Sequence, residues 1–192
     1  MSWKAFGALG PWFAGFVTFY LVVYTIWRDQ WKRPKLLLSF DNDRDVKTQA
    51  NTVGWVNIPP STVSRWLRVR VQNAKRRRVA KNCRAFLIGI EEAPSGEDKF
   101  PNDVRQLRWT HDHSTPPSAR DLLPGVSHWV DVAAAIDGQN TLTVCTFPPW
   151  VLGIPGDYVF TVQVSAEDAD PAVIKVQVHW DGTWPSLRGQ DP

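Results

Sequence analysis

Between Lys4 and Arg28 the chain reads AFGALGPWFAGFVTFYLVVYTIW, without one Asp, Glu, Lys, Arg or His. Wound at about 1.5 Å per residue, a run of that length covers roughly 30 Å of hydrocarbon, and a helix satisfies its own backbone where water is absent. The sequence therefore predicts one transmembrane α-helix over residues 5–27. A cleaved signal fits less well, because its apolar core is shorter and ends at small residues, whereas this run ends in the bulky YTIWRDQW. Trp3 and Trp12 toward one end, and Tyr24, Trp27 and Trp31 toward the other, are rings of the kind that settle at headgroup level. Pro11 costs least in a first helical turn, which predicts a regular helix from about Gly10.

Lys4 is the one basic side chain before the run, whereas Arg28, Lys32, Arg33 and Lys35 follow it closely. By the positive-inside rule the remainder of the chain is expected in the cytoplasm, on the inner (plasma) membrane, with these residues against the lipid headgroups. The whole chain of 192 residues carries 22 Lys and Arg against 19 Asp and Glu. With the anchor set aside the rest is close to neutral. Charge is nonetheless uneven within it: residues 65–84 hold nine Lys and Arg and no acid. Cys83 and Cys145 are too few for a disulfide scaffold and lack metal-ligand spacing. A cytoplasmic placement predicts two free thiols; a bond between them would mark the opposite side.

Past the anchor, long apolar runs give way to short alternating segments divided by Pro, Gly and Asn, the punctuation of a β protein. Strands are expected at residues 35–40, 64–72, 82–90, 104–109, 126–132, 141–147, 157–165 and 173–180. The patch 53–58 around Trp55 reads as an edge strand or a packed-down loop, and 91–102 as a loop. In 64–72, Arg65, Leu67, Val69 and Val71 share one face and Trp66, Arg68, Arg70 and Gln72 the other. In 157–165 the inward set is Tyr158, Phe160, Val162 and Val164; in 173–180 it is Ile174, Val176, Val178 and Trp180. The fold class expected is mainly β, an antiparallel immunoglobulin-like β-sandwich behind one N-terminal transmembrane helix. Its divisions are a tail at 1–4, the helix at 5–27, a basic juxtamembrane linker at 28–34, the sandwich at 35–183 and a C-terminal tail at 184–192.

Val71 and Asn73 ending a strand, Ala80 after the turn, Leu123 to Gly125 opening a middle strand, and Pro155, Gly156 and Tyr158 opening a late one form a recognisable order. Over roughly residues 65–168 it resembles the CARDB-type immunoglobulin-like domains of bacterial surface and envelope proteins. The chain departs from that pattern at Ala74, where glycine is usual, in the arginine run that follows, and in an insertion around 91–120. The resemblance implies a binding or scaffolding role and transfers no catalytic residue.

Chemistry-bearing patterns are sparse. His111-Asp112-His113 has the residue types of a metal site, but an extended i, i+2 pair points to opposite faces and no further ligand is identifiable, so a solvated loop is expected. Nucleophile elbows, phosphate loops and His-Glu-x-x-His are absent, which disfavours an enzyme, and no metal or cofactor is expected. The basic run Lys75, Arg76, Arg77, Arg78, with Lys81 beyond it, reads as a solvated hairpin tip, an inner-leaflet contact or a nucleic-acid contact. Trp66 beside Arg68 and Arg70 has the composition of a protein-binding patch. The expectation is a single-pass, non-enzymatic interaction or scaffold protein whose partners are membrane lipid and another protein. Nucleic acid, and an extracytoplasmic adhesive or glycan- or peptide-binding role, are the alternatives.

Overall fold

The computed structural model describes residues 4–50, 62–100 and 103–190, with backbone alone at 4–14 and 50. Trp3, the side chain of Trp12 and the patch 53–58 lie outside the described residues.

One helix, α1 (Lys4–Lys32), precedes a chain of strands. These are β1 (Leu36–Ser39), a single turn α2 (Asn42–Asp45), β2 (Val46–Ala50), β3 (Val63–Asn73), β4 (Ala80–Ala93), β5 (Glu97–Asp98), β6 (Arg105–Trp109) and β7 (Arg120–Leu122). There follow β8 (Ser127–Ile136), β9 (Leu142–Val144), β10 (Thr146–Phe147), β11 (Trp150–Leu152), β12 (Gly156–Ala166), β13 (Ala169–Trp180) and β14 (Arg188–Gln190).

The protein is mainly β, and its strands form one large antiparallel sheet curled into a half-barrel. Its spine runs β1-β3-β8-β6-β4-β12-β13-β14. A sandwich of two separate sheets was the expectation, and β6 is why the sheet is continuous. Its first residues pair with β4 (Gln106 with Phe86) and its last with β8 (Arg108 with Asp131, Trp109 with Val130). A strand that changes partner along its length turns a corner between layers, and alternation of side chains carries no sign of it.

The core fills the inside of the curl. Leu67, Val69 and Val71 of β3 are fully buried there, as are Phe160, Val162 and Val164 of β12, in keeping with their period-2 spacing. Burying each such side chain is worth about 1.5–3 kcal/mol. A register shift opposite Leu67 and Arg68 bends β8, whose run Val132–Ile136 is buried throughout. The expected loop at 91–102 instead continues β4 to Ala93 and returns as β5, with Phe100 buried. Part of the expected tail is also ordered structure: Leu187 is buried and β14 adds an edge to β13. There Gly189 lies under the ring of Phe40, so the two ends of the spine meet.

Two expectations about the helix are corrected. It is regular from Lys4, so Pro11 sits inside it and not at its start. Among the described residues no helix is long and apolar enough to cross a membrane. Arg28, Asp29 and Lys32 belong to the same helix as the apolar run. α1 is instead amphipathic. Tyr20, Tyr24, Trp27 and Trp31 recur at helical spacing along one side, and Thr18, Thr25, Asp29 and Lys32 along the other.

Candidate functional site

Helix α1 ends in four carbonyls that its own ladder cannot use. Two of them are met by the β3–β4 turn: Lys32 O accepts the Arg78 N–H at 2.9 Å, and Trp31 O accepts from the Arg77 guanidinium. Arg78 Nη2 also lies 2.6 Å from Asp29 Oδ1. Cationic groups are favoured at this end, because the helix dipole presents its negative pole there. The basic run is thus no free hairpin tip. Two of its arginines seat the helix on the sheet.

Asn73, fully buried at the end of β3, holds the junction from below. Its Oδ1 accepts from Lys35 N at 3.2 Å, while its Nδ2 donates to Arg78 O at 2.6 Å and to Leu122 O at 3.1 Å. Ala74 N donates to Lys35 O at 2.9 Å. Pro34 is buried in the same place, so residues 33–35 connect helix and sheet with little slack.

Around this junction stands a collar of charge. Arg28, Lys32, Arg33 and Lys35 are exposed from the first basic cluster, and Lys75, Arg76 and Arg78 from the second. Segments forty residues apart in sequence are united here by the pairing of β1 with β3 (Leu36 with Asn73). The β12–β13 hairpin brings acids to one side: Asp168 Oδ1 accepts from Lys81 N at 3.3 Å, and Glu167 N donates to Lys81 O at 3.1 Å. A cleft of about 520 Å³ runs between Arg33, Arg78, Glu167 and Asp170.

Above the collar, every residue from Gly15 to Trp27 is exposed. Phe16 is 71% exposed, Phe19 68%, Leu21 55% and Ile26 54%, so none of the described residues packs over this segment. The aromatic side forms a ladder leading to the collar. Tyr20 and Tyr24 stack at 6.2 Å, and Trp27 meets Trp31 edge-on at 4.6 Å.

The other expected contacts are dispersed. Trp66 is not an exposed anchor: it is 6% exposed, packs with Ala134 and Cys145 on the side of β3 away from the main core, and donates Nε1–H to Ser64 Oγ at 2.7 Å. Arg68 is paired with Asp131 at 2.8 Å, and Arg70 donates to Ser39 Oγ at 3.0 Å. At the His-Asp-His motif, His111 adopts a left-handed backbone (φ 67°), and Asp112 accepts from the backbone N–H and hydroxyl of both Ser114 and Ser118 at 2.6–3.0 Å. Burial raises the pKa of Asp112, but those four hydrogen bonds outweigh it and bring it down to about 2. Asp112 organises a loop, and among the described residues no group of three His, Cys, Asp or Glu is placed to hold a metal ion. Cys83 and Cys145 are buried free thiols. Sequence reasoning missed Asn73 and Asp29, whose roles depend on pairing partners remote in the chain.

No known family model, no curated protein and no solved structure matches this chain.

Proposed function

We propose that the chain is a membrane-attached, non-enzymatic interaction module, held on an anionic lipid surface by α1 and its basic collar. The observation that carries this reading is the exposed segment Gly15–Trp27, apolar side chains that none of the described residues covers, ending where seven exposed cationic side chains gather. Water penalises such a helix and a lipid phase does not. Each fully buried large apolar side chain is worth about 1.5–3 kcal/mol, and each Lys or Arg near an anionic surface about 1 kcal/mol. Trp27 and Trp31, beside the collar, stand where interfacial rings belong.

The sheet is the part offered to a partner. An immunoglobulin-like reading is supported by spatial order: β1-β3-β8 corresponds to strands A-B-E and β4-β12-β13 to C-F-G. Tyr158 adds the corner found at the start of strand F, its hydroxyl donating to Ile154 O. On this reading the sheet serves as a scaffold or protein-binding surface at the cytoplasmic face of a prokaryotic inner membrane, where the leaflet is anionic. Free, buried Cys83 and Cys145 speak against the extracytoplasmic alternative. Engagement of Arg77 and Arg78 by α1 speaks against nucleic acid.

The test is flotation of the full chain with vesicles of neutral phosphatidylcholine and with vesicles containing phosphatidylserine. Binding to both, tighter to the anionic vesicles and weakened by salt, is expected. A chain that stays monomeric in buffer and floats with neither would end the proposal.

A further inference from the structure

On the flank of the sheet, away from α1, a cavity of about 420 Å³ opens where α2, β2, β3, β7 and β8 converge with the turn after β6. Its walls carry Arg44, Lys47, Arg68 and Arg120, with His111, His128 and Trp129 between them, and no Asp or Glu. The basic residues come from four elements, so no single charge run in the sequence announces the site.

Carboxylates stand behind the wall and are already engaged. Asp131, 5% exposed, accepts from Arg68 at 2.8 Å and from Thr110 Oγ1 at 2.7 Å. Asp45, fully buried, accepts Trp129 Nε1–H at 3.0 Å and the Asp41 N–H at 2.9 Å, and lies 3.5 Å from Arg44. These bonds fix Arg68 and the Trp129 ring in place. Among the described residues, Lys47 and Arg120 have no carboxylate within ion-pair distance. Arg120 is positioned by rings, over Trp109 at 5.8 Å and with Nη1 3.4 Å from His128 Nδ1. Burial and the Arg120 charge both lower the pKa of His128, so it faces the guanidinium as a neutral ring, with Nδ1 as acceptor.

Of the four cations around this cavity, Arg44 and Arg68 have acid partners, whereas among the described residues Lys47 and Arg120 have none, so the wall carries uncompensated positive charge. From this juxtaposition we infer that the cavity binds a compact polyanion of the phosphate class, with Lys47 and Arg120 as its principal ligands and Arg44 and Arg68 completing the cradle. A phosphoryl group suits the guanidinium forks, and the volume lies in the range of small-molecule sites. A single carboxylate matches only one of the two cations that lack an acid partner. The phosphate can belong to a soluble phosphorylated compound or to a lipid headgroup. Arg68 lies five residues along β3 from Asn73 at the collar, about 17 Å at strand rise, which favours a ligand that stands clear of the surface. This inference does not rest on the membrane reading.

The experiment is isothermal titration of the full chain in neutral detergent micelles with inorganic pyrophosphate and with inorganic phosphate, followed by flotation with phosphatidylserine vesicles in the presence of saturating pyrophosphate. The variant is Lys47→Ala with Arg120→Gln; the control is Lys175→Ala, an exposed cation on β13. The wild type and the control are expected to bind pyrophosphate saturably and more tightly than phosphate. The double variant, with unchanged circular dichroism and melting temperature, is expected to bind at least tenfold more weakly. Vesicle binding unaffected by pyrophosphate assigns the site to soluble phosphates; vesicle binding that pyrophosphate inhibits and the double variant lacks assigns it to lipid headgroups. Absence of saturable binding by the wild type in every arm, or equal binding by a folded double variant, overturns the inference.

Discussion

Arg78 reaches across the junction to Asp29 at 2.6 Å, joining the turn after β3 to the last turns of α1. Both side chains are about half exposed, so the pair is expected to fix orientation more than to add stability. A double-mutant cycle with Asp29→Asn and Arg78→Ala, followed by denaturant unfolding, should give a coupling of about 0.2–1 kcal/mol that shrinks in 1 M salt. A coupling insensitive to salt would contradict an exposed ion pair.

Asn73 carries more. Asn73→Ala removes three hydrogen bonds and strands Lys35 N and Leu122 O without their side-chain partner. The expected loss is about 1–3 kcal/mol in chemical denaturation. Amide exchange should accelerate in residues 32–36 and 122–125 before it does in β12. Uniform acceleration would mean that Asn73 supports the whole sheet and not the junction.

Gly189 has no room for a side chain. A methyl group there collides with the Phe40 ring and comes within 3.1 Å of Leu67. Gly189→Ala is expected to cost about 1–3 kcal/mol by forcing β14 off β13 or Phe40 out of its place. Thermal melting of the variant checks it, and Phe40→Leu in the same chain should recover part of the loss.

Acid should find Asp112. Its pKa in the folded chain, about 2, lies below its ordinary value of 3.8. The contribution to stability is therefore complete above pH 4 and is lost as pH falls from 4 toward 2. Asp181, lowered to about 2 by bonds from Ser186 and Thr183, acts in the same direction. Melting curves of the wild type and Asp112→Asn should converge across that window, and parallel curves would remove Asp112 from the account.

The thiols make a separate prediction. Burial pushes the Cys83 thiol up to about 12 and raises that of Cys145 as well, so neither forms thiolate near neutral pH. A maleimide at pH 7.5 should label neither in the folded chain and both after denaturation without reductant. A requirement for reductant would show that the two are joined.

Strands with a clean period of two were legible in the sequence. Tyr158, Phe160, Val162 and Val164 are buried as their spacing requires; β12 extends one residue beyond the expected bounds at each end, and β13 starts at Ala169, ahead of the expected Val173. Trp66 was misread because alternation identifies a face opposite Leu67 without revealing that Ala134 and Cys145 cover it. β2, β11 and β14 escaped because short edge strands have too few residues to show a period. The collar was half legible: composition marks both basic segments, but their meeting depends on β1 pairing with β3. The polyanion cavity was not legible, since Arg68 was grouped with Arg70 on its own strand while Arg44, Lys47 and Arg120 come from three other elements.

Residues 33–35 leave almost no free chain between α1 and the sheet, and the turn that grips the helix joins β3 to β4, one strand from each layer of the curl. The short connection and the contacts of Arg77 and Arg78 with α1 restrict how far the sheet can swivel relative to the helix. A tilt of α1 is thus carried into the sheet, and on the lipid attachment proposed above, copies held side by side would present the same flank at the same height, like teeth of one comb.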